Sequence, residues 1–534
     1  MSLALAKPLE SNRLRSAIPV SSSSVSARRV SSAIQSLLAP SLTTTRQNWL
    51  GAVARLTSES RPDLRGQLVE FLDAGPLDLG NPLGGMSIGE IGVVYEALVA
   101  LSNHRDRRQK GQYFTPDDVA SFMARQVQAF GDGHWLDPCC GVGNLAWHLA
   151  DAMSDPAEFV SAQLTLIDMD PVALRTAIAL LVASFAADGD DECLPRLAAR
   201  SRARDFLDSA ALPRHDFVIV NPPYAATAPN ARFRTAAARE LYAYFLERIS
   251  LESKGFIAVT PASHLSAAKY DSLRVILEER SGGEVFVFDN VPDTCFRGFK
   301  YGSTNTSKTN FVRAAITVSS PSHTSWRLTP ILRWAARSRL RMWSSAHRFL
   351  VDLRNGPNGE WAKVMPGTEA VWDALRSNGQ TLSDLVHRER TQFALHVAST
   401  PRYYISASKR DLNRGSKHVL YFRTREEMNR AYVLLNSSLP YWWWRCVDGG
   451  ITLPIRTLLS LPLPAVLSAT PSLVTALEES EGRDLVKKLN AGRQNENIRR
   501  PRELVESIDD ELLRGVRFDF SEVFAADMFE EVSR

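Results

Sequence analysis

Between residues 111 and 320, short β-branched apolar runs ("HWLDP", "LTLIDMD", "DFVIVNPP", "GFIAVTP", "EVFVFDN" and "AAITV") alternate with stretches whose apolar residues recur at helical spacing. No other feature restricts the chain so strongly. Short strands joined by helical connections form βαβ units, which require a mostly parallel sheet with helices on its faces. The expected fold class is α/β, a doubly wound, mostly parallel sheet of Rossmann-like type. Ligands of such sheets lie beyond the carboxyl ends of the strands, so the residues that follow each run carry the chemistry.

The rest of the 534 residues divides around this block. Residues 1–60 are rich in Ser and Arg, hold no acid from Ser11 to Ser58, and are expected to form a partly ordered N-terminal arm. They lack the apolar core of a secretory signal, although the composition overlaps that of organellar transit peptides. Residues 61–110 hold two amphipathic runs, "LRGQLVEFLDA" and "IGEIGVVYEALVAL", and are expected to be a small helical segment. Residues 321–534 form a mixed region rich in Arg and Trp, with a helical tail expected after about residue 475.

Charge narrows the partner. The net charge is only +4, but no acid lies between Asp293 and Asp352, an interval with ten Lys or Arg. Such a block is an electrostatic footprint for a polyanion. Within it Arg333, Arg337 and Arg341 stand at i, i+4 and i+8, the spacing of one helical stripe. Trp442, Trp443 and Trp444 are expected in the core, since three consecutive aromatics cannot all face one ligand. The five cysteines have neither disulfide nor zinc spacing, so no metal is expected and a reducing cytoplasm fits. No apolar run reaches the roughly 18 residues of a spanning helix, so no membrane partner is expected.

The first strand of the α/β block runs into "LDPCCGVGNLAWHLA". Gly141 and Gly143 allow a tight turn that approaches a ligand, and the helix behind it offers free N–H groups. The loose G-x-G-x-x-G/A pattern also occurs in nicotinamide-binding turns. Three neighbours decide between the two. Asp137 precedes the glycines, where a carboxylate would repel a diphosphate but hold a cation. Asp168, after the second strand, is placed to accept both ribose hydroxyls. Asp205 and Phe206, after the third, are placed to bond an adenine amine and to lie on the base. An adenosine without phosphate, joined to a sulfonium amino acid, satisfies the set; that molecule is S-adenosylmethionine.

The fourth strand runs into "NPPY", residues 221–224, which therefore faces the same crevice. An exocyclic amine on a heteroaromatic ring is a poor nucleophile because its lone pair is delocalised. The Asn221 side-chain oxygen and the Pro222 carbonyl could hold both amine hydrogens and turn the lone pair toward a methyl group. Pro222 and Pro223 stiffen the step without adding a donor, and Tyr224 offers a stacking face.

From about residue 85 to 320 the chain resembles the amino-group DNA methyltransferases, with its parts in the order of the γ class typified by TaqI. The cues are "GQYFTPDDVASFMA", "DPCCGVGN", "DMDP", "RDF", "NPPY" and "GFIAVTPASHL". The resemblance implies a cofactor set of Tyr113, Thr115, Pro116, Asp137, Pro138, Gly141, Gly143, Asp168, Asp205 and Phe206, and a catalytic set of Asn221, Pro222, Pro223 and Tyr224. It further implies that Phe296 or Phe299 grips the flipped base from its other side. Cys139 and Cys140 replace the family's more usual Ala, Ser or single Cys and are expected only to pack.

The function so implied is a site-specific adenine-N6 methyltransferase of a prokaryotic cytoplasm, monomeric, acting on double-stranded DNA and paired with a separate restriction endonuclease. The basic C-terminal region would recognise the target, with Arg333, Arg337 and Arg341 on phosphates. A modification subunit of a type I system shares "GQYFTP" but leaves sequence reading to another protein. A fused nuclease would need a Pro-Asp and Glu-x-Lys set; Glu360 and Lys363 miss it by one residue. A noncatalytic relict would have lost Asp137, Asp168 or Asn221, and all three are present.

Overall fold

The computed structural model describes residues 24–74, 80–102, 115–296, 299–301, 304–305, 313–401, 404–490, 493–514, 516 and 519–530. The chain forms two compact units, the first made of the residues up to Ala262 with Ser272–Asn290 and Thr294–Trp326, the second of Ser263–Asp271, Val291–Asp293 and Arg327 onward.

The first unit opens with α1 (Ser24–Leu37), α2 (Leu42–Ser60), α3 (Arg65–Leu72) and α4 (Ile88–Ser102). Residues 24–60, expected in a partly ordered arm, are thus ordered helix. The reason is a stripe at three- and four-residue spacing within the Ser/Arg background: Val30, Ala33, Ile34 and Leu37 in α1, then Trp49, Val53 and Leu56 in α2, are all buried. The Trp49 indole N–H also donates to Thr176 Oγ1 at 2.9 Å. Ser41 caps α2 by accepting from the Thr44 amide.

The sheet follows. In chain order come α5 (Asp117–Arg125), β1 (Trp135–Asp137), α6 (Asn144–Ala152), α7 (Pro156–Glu158), β2 (Leu164–Asp168), α8 (Pro171–Phe185), α9 (Cys193–Arg200), β3 (Arg202–Ala203) and β4 (Phe217–Val220). Then come α10 (Leu241–Glu252), β5 (Gly255–Pro261), α11 (Asp271–Glu278), β6 (Gly283–Phe288), the short β7 (Lys300–Tyr301) and β8 (Thr304–Asn305), and β9 (Ala314–Ser319). Within this unit the strand order is β6-β9-β5-β4-β1-β2-β3. The pairs β1–β2, β1–β4, β2–β3 and β4–β5 are parallel, and β9 alone runs antiparallel to both its neighbours, β5 and β6. This is a mostly parallel α/β sheet with one reversed strand. Every residue of β2 and β4 is buried, as helices on both faces require. The chain leaves β1 toward β2 and β3, then returns to β4 on the other side of β1. That reversal opens a crevice at the carboxyl ends of β1 and β4.

In the second unit β10 (Trp326–Leu332) pairs antiparallel with β11 (Val351–Asp352) through Arg327–Asp352 and Leu328–Val351. Between them lies α12 (Arg339–Ser345). The hairpin β12 (Arg354–Asn355) and β13 (Trp361–Ala362) and helix α13 (Glu369–Ser377) lead to a three-stranded antiparallel sheet, β15 (Ala407–Ser408), β14 (Phe393–Ala398) and β16 (Lys417–Phe422) in that order. Helices α14 (Arg425–Leu435), α15 (Leu439–Val447), α16 (Ile455–Leu459) and α17 (Pro471–Arg483) follow, then a two-stranded ribbon, β17 (Leu485–Asn490) and β18 (Arg493–Ile498), and helix α18 (Arg502–Leu512). Trp442, Trp443 and Trp444 are all buried on α15, and Trp372 stacks on Trp443 at 5.0 Å.

Two expectations fail here. The tail after residue 475 is not all helix, because "LVKKLN" and "RQNENI" pair as a ribbon on either side of Ala491-Gly492, a turn signal hidden in a charged, helix-like composition. Nor do Arg333, Arg337 and Arg341 share a helical stripe. β10 runs to Leu332 and α12 starts only at Arg339, so the three lie on different local structures. Arg333 is buried, with its guanidinium donating to the Tyr441 hydroxyl. Arg337, in the turn Ala336–Ser338, pairs with Glu530, and Arg341 donates to the Phe529 carbonyl at 2.7 Å. Among the described residues no helix is long and apolar enough to cross a membrane.

Candidate active site

β1 delivers Asp137 to the crevice fully buried. Its Oδ1 meets the Cys139 amide at 3.4 Å, while Oδ2 has no hydrogen-bond partner. Burial pushes this carboxyl up to about 8. The turn that follows uses both glycines in the left-handed region, Gly141 at φ +53° and Gly143 at φ +94°. A Cβ on Gly141 would meet open space, whereas one on Gly143 would stand 2.9 Å from the Ala177 Cβ, so Gly143 lets α8 pack onto the turn. The buried neighbour Pro138 fixes the backbone between Asp137 and the thiols.

Asp168, at the end of β2, ties the turn down. Its Oδ2 accepts from the Gly141 amide and its Oδ1 from the Asp170 amide, both at 2.8 Å. Burial raises this carboxyl as well. Each oxygen keeps a further lone pair, so a ribose contact would be added to this backbone clamp. Asp170 caps α8 and is itself gripped by Arg46 of α2 at 2.9 Å and by the Tyr95 hydroxyl of α4 at 2.7 Å. The N-terminal helices thus brace the floor of the site, a role that composition did not reveal.

Asp205 is exposed and accepts from the Leu207 amide at 2.9 Å, shaping its own turn. Phe206 is not the open ring expected of a base platform. It is 1% exposed, stacked on Phe245 at 4.7 Å, with the Arg248 guanidinium 5.1 Å from its centroid. The large apolar side chain left in solvent near Asp168 is instead Met169, 67% exposed at the carboxyl end of β2. Its sequence signal was an apolar residue between two aspartates that cap and clamp.

Asn221 follows β4, next to β1. Its Nδ2 donates to Thr115 Oγ1 at 2.9 Å, so Oδ1, the acceptor end, faces away from that hydroxyl. The Thr115 carbonyl in turn accepts from Asn144 Nδ2 at 2.6 Å, at the start of α6. Cys139 does more than pack, since its Sγ donates to the Asn221 carbonyl at 3.1 Å. Burial holds this thiol well above its usual range, so it remains a protonated donor. One threonine and one cysteine therefore join the glycine turn to the Asn-Pro-Pro-Tyr step. Pro116 leads into α5 in extended conformation; Tyr113 lies outside the described residues.

Pro222 is buried and Pro223 half-buried behind Asn221. Tyr224 donates to the Val259 carbonyl at 3.0 Å, which fixes its ring. Phe296 meets that ring edge-on, with centroids 6.2 Å apart at 82°, and is 2% exposed; Phe299 is half-buried. The structure brings Phe296 to Tyr224.

A buried carboxyl oxygen with no hydrogen-bond partner and open space over Gly141 suit a ligand that carries a cation to the turn. Residues 87–242, which hold both the turn and the Asn-Pro-Pro-Tyr step, match the family model described as N-6 DNA Methylase. These residues form an N-6 DNA methylase domain. Such a domain takes its methyl group from S-adenosylmethionine, so this is the cofactor of the methylase domain.

No curated protein sequence matches the chain. Among solved structures, it is similar to that of the DrdV–DNA complex, at 13% identity and a TM-score of 0.42, over 70% of this chain and 47% of the other. The chain thus spans about half the length of that protein. It is similar also to the type IIG restriction endonuclease BpuSI, at 12% identity and a TM-score of 0.40, over 93% of this chain and 76% of that one. A third similar structure is a putative class I S-adenosylmethionine-dependent methyltransferase from Listeria monocytogenes, at 12% identity and a TM-score of 0.34, covering 57% and 93% of the respective chains.

Proposed function

We propose that the protein is a site-specific DNA methyltransferase of a restriction-modification system, acting on N6 of an adenine rotated out of duplex DNA. The observation that carries this reading is the adjacency at the sheet's reversal. Asn221 and the glycine turn stand side by side, joined by the Cys139–Asn221 hydrogen bond. S-adenosylmethionine supplies an electrophilic methyl group. Asn221 Oδ1 and the Pro222 carbonyl accept the two amine hydrogens, which localises the lone pair and aims it across the short gap to the turn. Tyr224 and Phe296 flank the base. Asp137 holds the cationic end of the cofactor, Asp168 the ribose, and Thr115 keeps the Asn221 amide from rotating its donor end toward the amine. Taking the adenine out of the stack costs a few kcal/mol, which cationic contacts to phosphate offset.

The second unit, with its basic stretch, is proposed to read the target, and a separate endonuclease to cut unmodified copies. The test is incubation with methyl-tritiated cofactor and unmethylated duplex DNA, followed by nucleoside analysis. Label in N6-methyldeoxyadenosine, lost in Asn221→Ala with cofactor binding retained, supports the reading. Label in cytosine, or none, refutes it.

A further inference from the structure

The ribbon β17–β18 carries exposed side chains that its own pairing does not bury. Its two strands pair from Leu485–Ile498 out to Asn490–Arg493, and among the described residues no third strand joins either edge. A two-stranded ribbon gains little from its own side chains, so an exposed one is kept for another purpose. Leu489 is 79% exposed, and Lys487 and Gln494 stand exposed beside it on the same face by the period-two register. The opposite face carries the positions of Val486, Lys488, Asn490, Arg493, Asn495 and Asn497. Apart from Leu485, Val486, Leu489 and Ile498, the residues of the two strands are cations and amides, with Glu496 the one acid, at 3.8 Å from Lys487.

The root of the ribbon is fixed. Glu496 accepts from the Asn413 amide at 2.9 Å and its own amide donates to the Asn413 carbonyl at 3.0 Å. Ser406 donates to Asn497 at 3.1 Å, and the Arg499 amide closes onto the Asp484 carbonyl at 3.1 Å. A rigidly rooted ribbon of this kind, basic and rich in amides, has the width and chemistry of an element that enters the major groove. There amides and cations bond base edges and an exposed apolar side chain meets a thymine methyl.

We propose that β17–β18 is the base-reading element of the protein and that its occupant is the major groove of duplex DNA. This rests on the methyltransferase reading above. Gln494 and Leu489 would contribute sequence choice, and Lys487 a phosphate contact.

The test compares full-length wild type with Gln494→Ala, Leu489→Ser and Lys487→Ala on a random-sequence duplex library with the methyl donor. The sequence context of every methylated adenine is read, with binding measured at several salt concentrations. Substitutions at exposed positions leave the melting temperature unchanged, which serves as the folding check. Gln494→Ala is expected to relax one position of the methylated motif and to reduce methylation of the cognate site about ten-fold. Lys487→Ala is expected to weaken all duplexes alike and to lower the salt slope by about one. If wild type methylates a defined motif and all three variants keep that motif, rate and salt slope, the ribbon is not the reader. A change confined to the association state of these variants would likewise overturn it, by assigning the ribbon to a second copy. If wild type itself methylates no duplex, the methyltransferase reading falls and this proposal with it.

Discussion

Replacing Thr115 by valine keeps the shape of a 5%-exposed side chain and removes only the hydroxyl that accepts from Asn221 Nδ2. The Thr115 carbonyl, which holds Asn144 and so the start of α6, is untouched. Loss of such an acceptor for a buried amide costs about 1–3 kcal/mol. If that cost falls on the orientation of Asn221 in the transition state, methyl transfer slows by about 5- to 150-fold. Cofactor affinity should change less than the rate, because the hydroxyl is bonded to Asn221 rather than to Asp137, Gly141 or Asp168. The assay is single-turnover transfer of labelled methyl to a target duplex, beside calorimetric titration of S-adenosylmethionine. Thr115→Ser, which restores the hydroxyl, should recover most of the rate. A valine variant within two-fold of wild type, or a serine variant as slow as valine, would show that Thr115 does not position Asn221.

Asn221→Ala should abolish turnover, a loss that single-turnover rates would reveal, while cofactor binding persists. Asp137 has a folded-state pKa of about 8, above its unfolded value, so the ligand-free protein binds the extra proton below that pH and loses stability as pH rises through the acid-to-neutral range. Binding of a cation needs the carboxylate, so affinity for the cofactor should strengthen from pH 6 toward about 8, and Asp137→Asn should flatten the profile in titration calorimetry. Arg333→Ala should lower the melting temperature by the equivalent of about 2 kcal/mol, since its hydrogen bond to Tyr441 is buried, while Arg337→Ala should leave it unchanged. Full activity is expected in EDTA, and its abolition would contradict a mechanism that needs no metal.

The sheet was legible because β-branched runs and helical connections differ in period, and a period survives without tertiary knowledge. The reversed strand β9 was not, because "AAITV" carries no mark of direction. Asp137, Gly141, Gly143, Asp168 and Asn221 stood out since each sits just past a strand, where side chains meet the crevice whatever packs behind. Phe206 misled for the opposite reason: its fate depended on Phe245 and Arg248, about forty positions on, which no local pattern announces. The arginine spacing failed because a helical period was read across residues that the chain divides between a strand end, a turn and a helix. Thr115 and Cys139 were noticed as neighbours of the site, but their bonds to Asn221 belong to the fold.

The bond from Cys139 to Asn221 closes over 82 positions. The site is therefore a late object in the life of the chain. While β2, β3 and their helices are being synthesised, the glycine turn exists without its partner, and it gains one only when β4 slots in beside β1. A product of interrupted synthesis that stops short of residue 221 lacks the carbonyl to which Cys139 donates and the Asn-Pro-Pro-Tyr step beside the turn. On the proposed function, such a fragment could not act on DNA, and a nascent chain could begin to do so only once its sheet has turned back on itself.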